Sequence, residues 1–71
     1  MEYTKTFNVC YRNVSGYKPV YHKRAFTIKV YTDEYGFYTS STYKRILEDL
    51  TECARKQENT DKIIIVNYQP K

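Results

Sequence analysis

The sequence predicts a single α+β domain over residues 1–71, with one helix packed on one face of a small mixed sheet of three or four strands. Three observations predict this fold. Apolar residues alternate in the first half of the chain, one later stretch has helical spacing, and an unbroken apolar run follows near the end. A chain of this length has room for one small core and no second domain.

The first half of the chain predicts two strands and a turn. Residues 3–12 alternate as a half-buried strand does, and one side carries Tyr3, Phe7, Val9 and Tyr11. Residues 13–22 contain Gly16 and Pro19 and predict a loop, and residues 24–32 predict a second strand. The tetrad Asp33-Glu34-Tyr35-Gly36 has the composition of a tight turn, so we expect a short third strand at 37–39.

The second half predicts a helix and a last strand. Ser40 or Ser41 is the expected N-cap, apolar or small residues follow at helical spacing, and Asn59 is the expected stop. The strand at 62–68 contains the run Ile63–Val66, which is typical of a strand buried on both faces. A right-handed crossover lays this strand parallel to the first, in the order 3-2-1-4. Because one helix covers one face, the 13–22 loop or a second molecule is expected on the other.

The two cysteines and the single histidine bear on compartment and metal binding. Cys10 and Cys53 are predicted on opposite sides of the sheet, and a disulfide needs Cα atoms about 5.5 Å apart. Free thiols are typical of a reducing compartment, and no apolar run resembles a signal peptide or a membrane span. We therefore expect a cytoplasmic protein. With His22 as the only histidine, we expect no metal and no cofactor.

The residues that do chemistry in enzymes form no recognisable site. His22 lies among basic residues with no carboxylate nearby in sequence to orient it. Glu48, Asp49 and Glu52 fall on the polar face of the predicted helix, where charged residues are usually solvated. No glycine-rich phosphate loop is present. We expect the protein not to be an enzyme.

Positive charge is concentrated in the first part of the chain. Lys and Arg number 12 against 8 acids, and residues 1–31 contain six of these bases with Glu2 as the only acid. This asymmetry indicates a basic face directed at an anionic partner. The segment 16–24 alternates aromatic and basic residues, as proteins that bind single strands do. The candidate binding residues are Arg12, Tyr17, Lys18, Tyr21, His22, Lys23, Arg24, Lys29 and Tyr31.

Nine tyrosines in 71 residues favour a protein interface, because tyrosine is enriched at such surfaces. Five of them are expected to cluster around the second strand: Tyr17, Tyr21, Tyr31, Tyr35 and Tyr38. The leading hypothesis is a non-enzymatic modulator or inhibitor of the phage or mobile-element accessory type, which binds a host protein or a protein–nucleic-acid complex. The alternative is a nucleic-acid-binding accessory protein that uses the basic aromatic loop 16–24 and the outward sheet face. A homodimer is a further candidate, and no membrane partner is expected.

Overall fold

The computed structural model describes residues 1–71 as three strands and one helix. The strands are β1 (Glu2–Asn13), β2 (Val20–Tyr31) and β3 (Ile63–Pro70), and helix α1 (Ser40–Glu58) lies between β2 and β3 in the chain. The sheet order is β2-β1-β3, and both neighbouring pairs are antiparallel. The predicted α+β class, with one helix on a small sheet, is confirmed. The sheet has three strands rather than four, and it is antiparallel rather than mixed.

The direction of the last strand was predicted wrongly, and the missing strand at 37–39 explains the error. The predicted strand order is right once that strand is removed. Because α1 follows β2 directly, the crossover connects β2 to β3, which therefore run parallel with β1 between them. The last strand is consequently antiparallel to the first.

The segment between β2 and α1 forms the predicted turn but no strand. The Asp33 carboxylate accepts hydrogen bonds from the Tyr35 and Phe37 amides at 3.0 and 2.8 Å, and Gly36 adopts a φ of 84° that glycine tolerates best. The chain then enters the helix at an N-cap, which is Thr39 rather than Ser40 or Ser41.

Thr39 and Thr42 hold the start of α1 in place. The Thr39 hydroxyl accepts from the Thr42 amide at 3.2 Å, and the Thr42 hydroxyl accepts from the Thr39 amide at 3.0 Å. This reciprocal pair satisfies two amides that a helix start leaves free. The Thr42 hydroxyl also donates to the Tyr31 carbonyl at 2.7 Å, which fastens the helix to the end of β2. The helix ends at Asn59, as predicted, in the left-handed conformation.

The core lies between α1 and one face of the sheet. Alternate residues of the strands point at the helix, which presents one buried residue per turn in return. The buried apolar residues are Phe7, Val9, Tyr11, Ile28, Val30, Ile46, Leu50, Ala54 and Ile63. No helix has the length and apolar character needed to cross a bilayer.

The apolar run in β3 is not buried on both faces, contrary to prediction. β3 is an edge strand, and Ile64 and Val66 are 42% and 50% exposed. Cys10 of β1 lies opposite Asn67 and Tyr11 lies opposite Ile65, so Val66 is the extra residue of a β-bulge. With this bulge, Ile63 and Ile65 point toward the helix, and Ile64 and Val66 lie on the other face.

Both cysteines are free thiols, as predicted. Cys53 packs against the core from α1, and burial raises the pKa of its thiol. Cys10 lies at an alternate position from the buried Val9 and Tyr11, on the sheet face away from the helix. The two sulfurs are therefore separated by the sheet itself.

Candidate binding face

The sheet face that α1 does not cover, called the open face here, is formed by residues that alternate with the core positions. No helix lies over it, and the loop at 14–19 does not cover it, since Ser15 to Lys18 are exposed and the Tyr17 side chain is fully so. By register the open face consists of Glu2, Thr4, Thr6, Asn8, Cys10 and Arg12 from β1, Tyr21, Lys23, Ala25, Thr27, Lys29 and Tyr31 from β2, and Ile64, Val66, Asn67 and Gln69 from β3.

One end of the open face, near the 14–19 loop, combines apolar side chains with an arginine. Arg12 lies between Tyr21 on β2 and Ile64 on β3 in a single cross-strand row. Tyr21 is 62% exposed, and Val66 lies two residues further along β3. The Arg12 Nε is buried without a hydrogen-bond partner, so the stem of this side chain lies along the sheet. We call Arg12, Tyr21, Ile64 and Val66 the apolar end.

The middle of the open face is a polar depression. It forms a shallow cavity of about 380 Å³, lined by Asn8, Val9, Cys10, Lys23, Asn67 and Gln69. The three amide side chains come from neighbouring strands, because Asn8 pairs with Gln69 and Cys10 pairs with Asn67. None of them makes a hydrogen bond within the protein, although amides usually find partners when they can. The depression therefore presents free donors and acceptors beside one ammonium group.

The far end of the open face is polar, and two of its side chains bond to each other. The Thr6 and Thr27 hydroxyls bond to each other at 2.7 Å, and Lys29 lies opposite Thr4. Tyr31, which was predicted to belong to this surface, pairs with Glu2 at the end of the same face and is half-buried. The Arg45 guanidinium of α1 lies 4.0 Å from its ring centre, so one side of the ring is occupied.

His22 and Arg24 lie on the opposite face from the predicted patch. β2 begins at Val20, so these two residues alternate with Lys23 and share a face with Phe26. Both contact Glu58 at the end of α1: the His22 Nε2 lies 3.3 Å from one carboxylate oxygen, and the Arg24 Nε donates to the other at 3.3 Å. The carboxylate that the sequence around His22 lacks is supplied by Glu58 of the helix, and the segment 20–24 is strand rather than loop.

The buried Tyr11 completes this arrangement, which we call the Glu58 cluster. Its hydroxyl donates to the Glu58 carboxylate at 2.7 Å, and the Glu58 side chain is 13% exposed. This hydrogen bond, with the neighbouring His22 imidazole and Arg24 guanidinium, holds the pKa of Glu58 below its usual value. Burial, together with the Glu58 carboxylate, raises the pKa of Tyr11 to about 12. The cluster fastens the end of α1 to the sheet.

The predicted tyrosine surface is divided between the two ends of the molecule. Tyr21 and Tyr31 are ten strand residues apart, which corresponds to about 33 Å. Tyr38 contacts Tyr3 and Tyr43 near the start of the helix, at the far end from Tyr17 and Tyr21. The molecule is elongated, 46 by 20 by 17 Å, so these groups do not form one surface.

The structure brings together Arg12, Tyr21 and Lys23 on the open face, with Tyr17 and Lys18 in the adjoining loop and Lys29 further along β2. Sequence reasoning missed Ile64 and Val66, whose apolar character was interpreted as burial, and it missed the amides of the polar depression. No family model matches the chain, and no curated protein or solved structure matches it.

Proposed function

We propose that this chain is a non-enzymatic binding protein that docks the apolar end of its open face onto an acidic surface of another protein. The observation that carries the proposal is the exposure of Tyr21, Ile64 and Val66 beside Arg12. Protein interfaces are enriched in tyrosine and arginine around an apolar centre. Aliphatic side chains favour a protein partner over nucleic acid, because phosphates and sugars offer isoleucine and valine little apolar surface.

The charge around the apolar end supports an acidic partner. Arg12, Lys23 and Lys29 lie on the open face, and Lys18 is exposed in the loop beside it. Glu2, at the far end of β1, is the only acid on the strands. Complementary charge of this kind steers association and selects partners. A host protein with an acidic surface, modulated or inhibited by a phage or mobile-element accessory protein, fits this chemistry.

The arrangement of the titratable groups supports a binding role rather than catalysis. His22, the only histidine, is engaged by Glu58, and the Cys53 thiol is held against the core with a raised pKa. A nucleophile needs an adjacent base or a lowered pKa. The Cys53 thiol lacks both, and no hydroxyl or thiol makes a hydrogen bond with His22, whose Nε2 faces the Glu58 carboxylate.

The test is affinity capture with a double variant, Tyr21→Ser with Ile64→Ser, beside wild type. Proteins captured from a bacterial lysate are identified by mass spectrometry, and each is then purified and titrated against both proteins. We expect a partner whose Kd rises by at least about tenfold in the double variant. Tyr35→Ser, which alters an exposed tyrosine in the turn before α1, is the matched control and should bind as wild type. Equal binding by the double variant and wild type would overturn the proposal.

A second candidate, direct nucleic-acid binding, is favoured by the polar depression. Asn8, Asn67 and Gln69 present unpaired amides beside Lys23, and amides read the edges of unstacked bases in single strands. The test is fluorescence anisotropy with labelled single-stranded DNA, RNA and duplex DNA at about 50 and 200 mM salt. Micromolar binding that falls with salt and weakens in Lys23→Ala would support this function. Binding that is absent at low salt would exclude it.

A further inference from the structure

The outer edge of β2, on the side away from β1, has no strand paired with it. In an antiparallel ladder the N–H and C=O of one residue point to the same side, and alternate residues share that side. The Thr32 amide donates to the Met1 carbonyl at 2.8 Å, whereas the Tyr31 carbonyl accepts from the Thr42 hydroxyl of α1. The odd-numbered residues of β2 therefore direct their main-chain groups away from β1. We call these outward groups the β2 edge, from Tyr21, Lys23, Ala25, Thr27 and Lys29.

The β2 edge is long and regular, and its main-chain groups have no partner in the protein. From Tyr21 to Lys29 it spans about 27 Å, since antiparallel strands rise about 3.4 Å per residue. β2 contains no proline and no glycine, and its pairing with β1 keeps one register throughout. The outer edge of β3, by contrast, is interrupted by the bulge at Val66. A regular free edge is a template for pairing with another chain.

A groove lies beside the β2 edge, between this strand and α1. It forms a cavity of about 310 Å³. The buried Ile28 and the half-buried Cys53 line it, together with Asp49, Glu52 and Lys56 of the helix. A strand added at the β2 edge would direct every second side chain to this side of the sheet. The groove is therefore the place where small apolar side chains of an added strand would lie.

The charge along the β2 edge favours an acidic segment. β2 carries Lys23, Arg24 and Lys29 and no acid, and Arg24 already donates to Glu58. The two acids of the groove lie 3.7 and 3.8 Å from arginines of α1, whereas Lys23, Lys29 and Lys56 form no ion pair. Three ammonium groups are therefore without a counter-charge in the protein. The other acids near β2 lie past its last base, around the Tyr31 end: Glu2, Asp33 and Glu34.

We propose that the β2 edge binds an extended acidic segment of a partner protein as a fourth, antiparallel strand. Main-chain hydrogen bonds to a free strand edge supply affinity in this mode, and alternate side chains supply specificity. On the open face acidic side chains lie beside Lys23 and Lys29, which are six residues apart. On the other face small apolar side chains enter the groove at Ile28 and Cys53. This inference goes beyond the docking of the apolar end, because it uses the main chain of β2 and the groove beside α1.

A second copy of the chain is a poorer occupant of the β2 edge. Pairing of two such edges about Phe26 would put Lys23 of each copy directly opposite Lys29 of the other. Like charges directly opposite each other in a sheet are destabilising. Registers shifted along the edge avoid this contact, but no acid of β2 is available to neutralise the lysines. The same lysines attract an acidic segment.

The experiment measures the fluorescence anisotropy of three labelled nine-residue peptides. The first, Ser-Glu-Val-Thr-Val-Thr-Val-Glu-Ser, has its valines on one side of a strand and its two glutamates six residues apart on the other. The second has the same composition with the valines consecutive, and the third has lysine in place of glutamate. We expect the first peptide to bind at least about tenfold more tightly than either of the others. Equal affinity for the first peptide and either of the others, or no binding of the first, would overturn the proposal.

Hydrogen exchange of the wild-type protein shows where the first peptide binds. The Lys23, Ala25 and Thr27 amides face away from β1 and should exchange fast in the free protein, whereas the Arg24 and Phe26 amides face β1. The peptide should slow exchange at the three odd-numbered positions, and protection confined to other residues would overturn the proposal. Sedimentation velocity of the protein alone should give a monomer. A dimer in which the three amides are already protected would assign the edge to a second copy and overturn the proposal.

Two substitutions at one position separate main-chain pairing from side-chain contact. Ala25→Pro removes an outward N–H and leaves the pairing with β1, which uses the even-numbered residues of β2. It should weaken binding of the first peptide by about fivefold or more, which is ~1 kcal/mol. Ala25→Ser keeps this N–H and is the matched control, and it should bind as wild type. Wild-type affinity in a folded Ala25→Pro would overturn the proposal, and the exchange pattern decides the question if this variant unfolds.

A variant of the apolar end separates this proposal from the proposed function. Ile64→Ser alters the apolar end and leaves β2 and the groove unchanged. It should bind the first peptide as wild type, whatever its effect on the capture of a partner protein. Loss of peptide binding in Ile64→Ser would move the peptide to the apolar end and overturn the proposal.

Discussion

The two faces of the sheet differ in whether their polar side chains have partners within the protein. On the covered face the Glu58 carboxylate accepts hydrogen bonds from Tyr11 and Arg24 and lies 3.3 Å from the His22 imidazole, and apolar residues fill the remaining space. On the open face Asn8, Asn67 and Gln69 have no partner in the protein, and Ile64 and Val66 are exposed. We therefore expect the covered face to determine stability and, under the proposed function, the open face to determine binding. Substitutions on the covered face should change the free energy of unfolding, and those on the open face should change affinity.

The largest expected difference is between two aliphatic truncations. Leu50 is fully buried on the inner side of α1, and Leu50→Ala should lower the free energy of unfolding by about 2–5 kcal/mol, enough to unfold much of a domain this small. Ile64→Ala on the open face should lower it by less than ~1 kcal/mol, since the side chain is already partly in water. Urea denaturation of both variants measures this contrast. Similar losses would mean that the open face also contributes to the core.

The pH dependence of stability should originate on the covered face. The pKa of Glu58 is lowered on folding, so its contribution is present above the ordinary value of 4.5 and is lost as the pH falls through the folded value. The pKa of Tyr11 is raised, so its contribution is complete below pH 10 and is lost as the pH rises toward about 12. Melting temperatures from pH 2 to 12 should show both losses.

Two conservative variants test whether Glu58 causes the loss of stability at acid pH and Tyr11 the loss at alkaline pH. Glu58→Gln should flatten the acid limb of the stability profile, and Tyr11→Phe should reduce the alkaline limb. Part of the alkaline limb should remain in Tyr11→Phe, because the hydrogen bond with Tyr3 also raises the pKa of Tyr38 to about 12. If Glu58→Gln has the same pH profile as wild type, the Glu58 cluster does not contribute to the pH dependence of stability.

A smaller loss in the free energy of unfolding is expected from a substitution at the start of the helix. Thr39→Ala removes the hydroxyl that caps the Thr42 amide and should cost about 1 kcal/mol. Ser40→Ala is the matched control, because Ser40 is exposed and does not cap the helix. Equal losses in the two variants would show that the neighbouring serine replaces the cap. Thermal denaturation followed by circular dichroism measures both.

The smallest effect on stability is expected on the open face itself. Lys23→Ala should change the free energy of unfolding by no more than about 0.5 kcal/mol, since the side chain is exposed and has no ion-pair partner. The same variant should weaken binding to an acidic partner. A stability loss above ~1 kcal/mol would contradict the division between the two faces.

Periodicity predicted the covered face well because burial leaves a regular pattern. Alternation placed Phe7, Val9 and Tyr11 on one side of β1, and helical spacing predicted an apolar side for α1. All three strand residues are buried, as are Ile46 and Leu50 on that side of the helix. The predicted strand order survives for the strands that form. These features depend on local alternation, which a single sequence displays directly.

The errors concern relations between segments. Residues 39–42 all carry hydroxyls, so composition does not select Thr39 as the cap. The bulge that exposes Val66 depends on the partner strand and leaves no local signal. His22 and Arg24 were assigned to the wrong surface because β2 was begun at residue 24. Extending its alternation backward from Phe26 places both on the covered face.

The central position of β1 has a consequence for how the chain folds. β1 is made first, and its pairing with β2 is local in sequence, so this hairpin can close early. Its other neighbour arrives only with the last residues of the chain, after the helix. Until then one edge of β1 is unpaired and one side of the core is open, because Ile63, Ile65 and Tyr68 come only with β3. We expect a chain truncated before β3 to expose this edge and this side of the core and to aggregate.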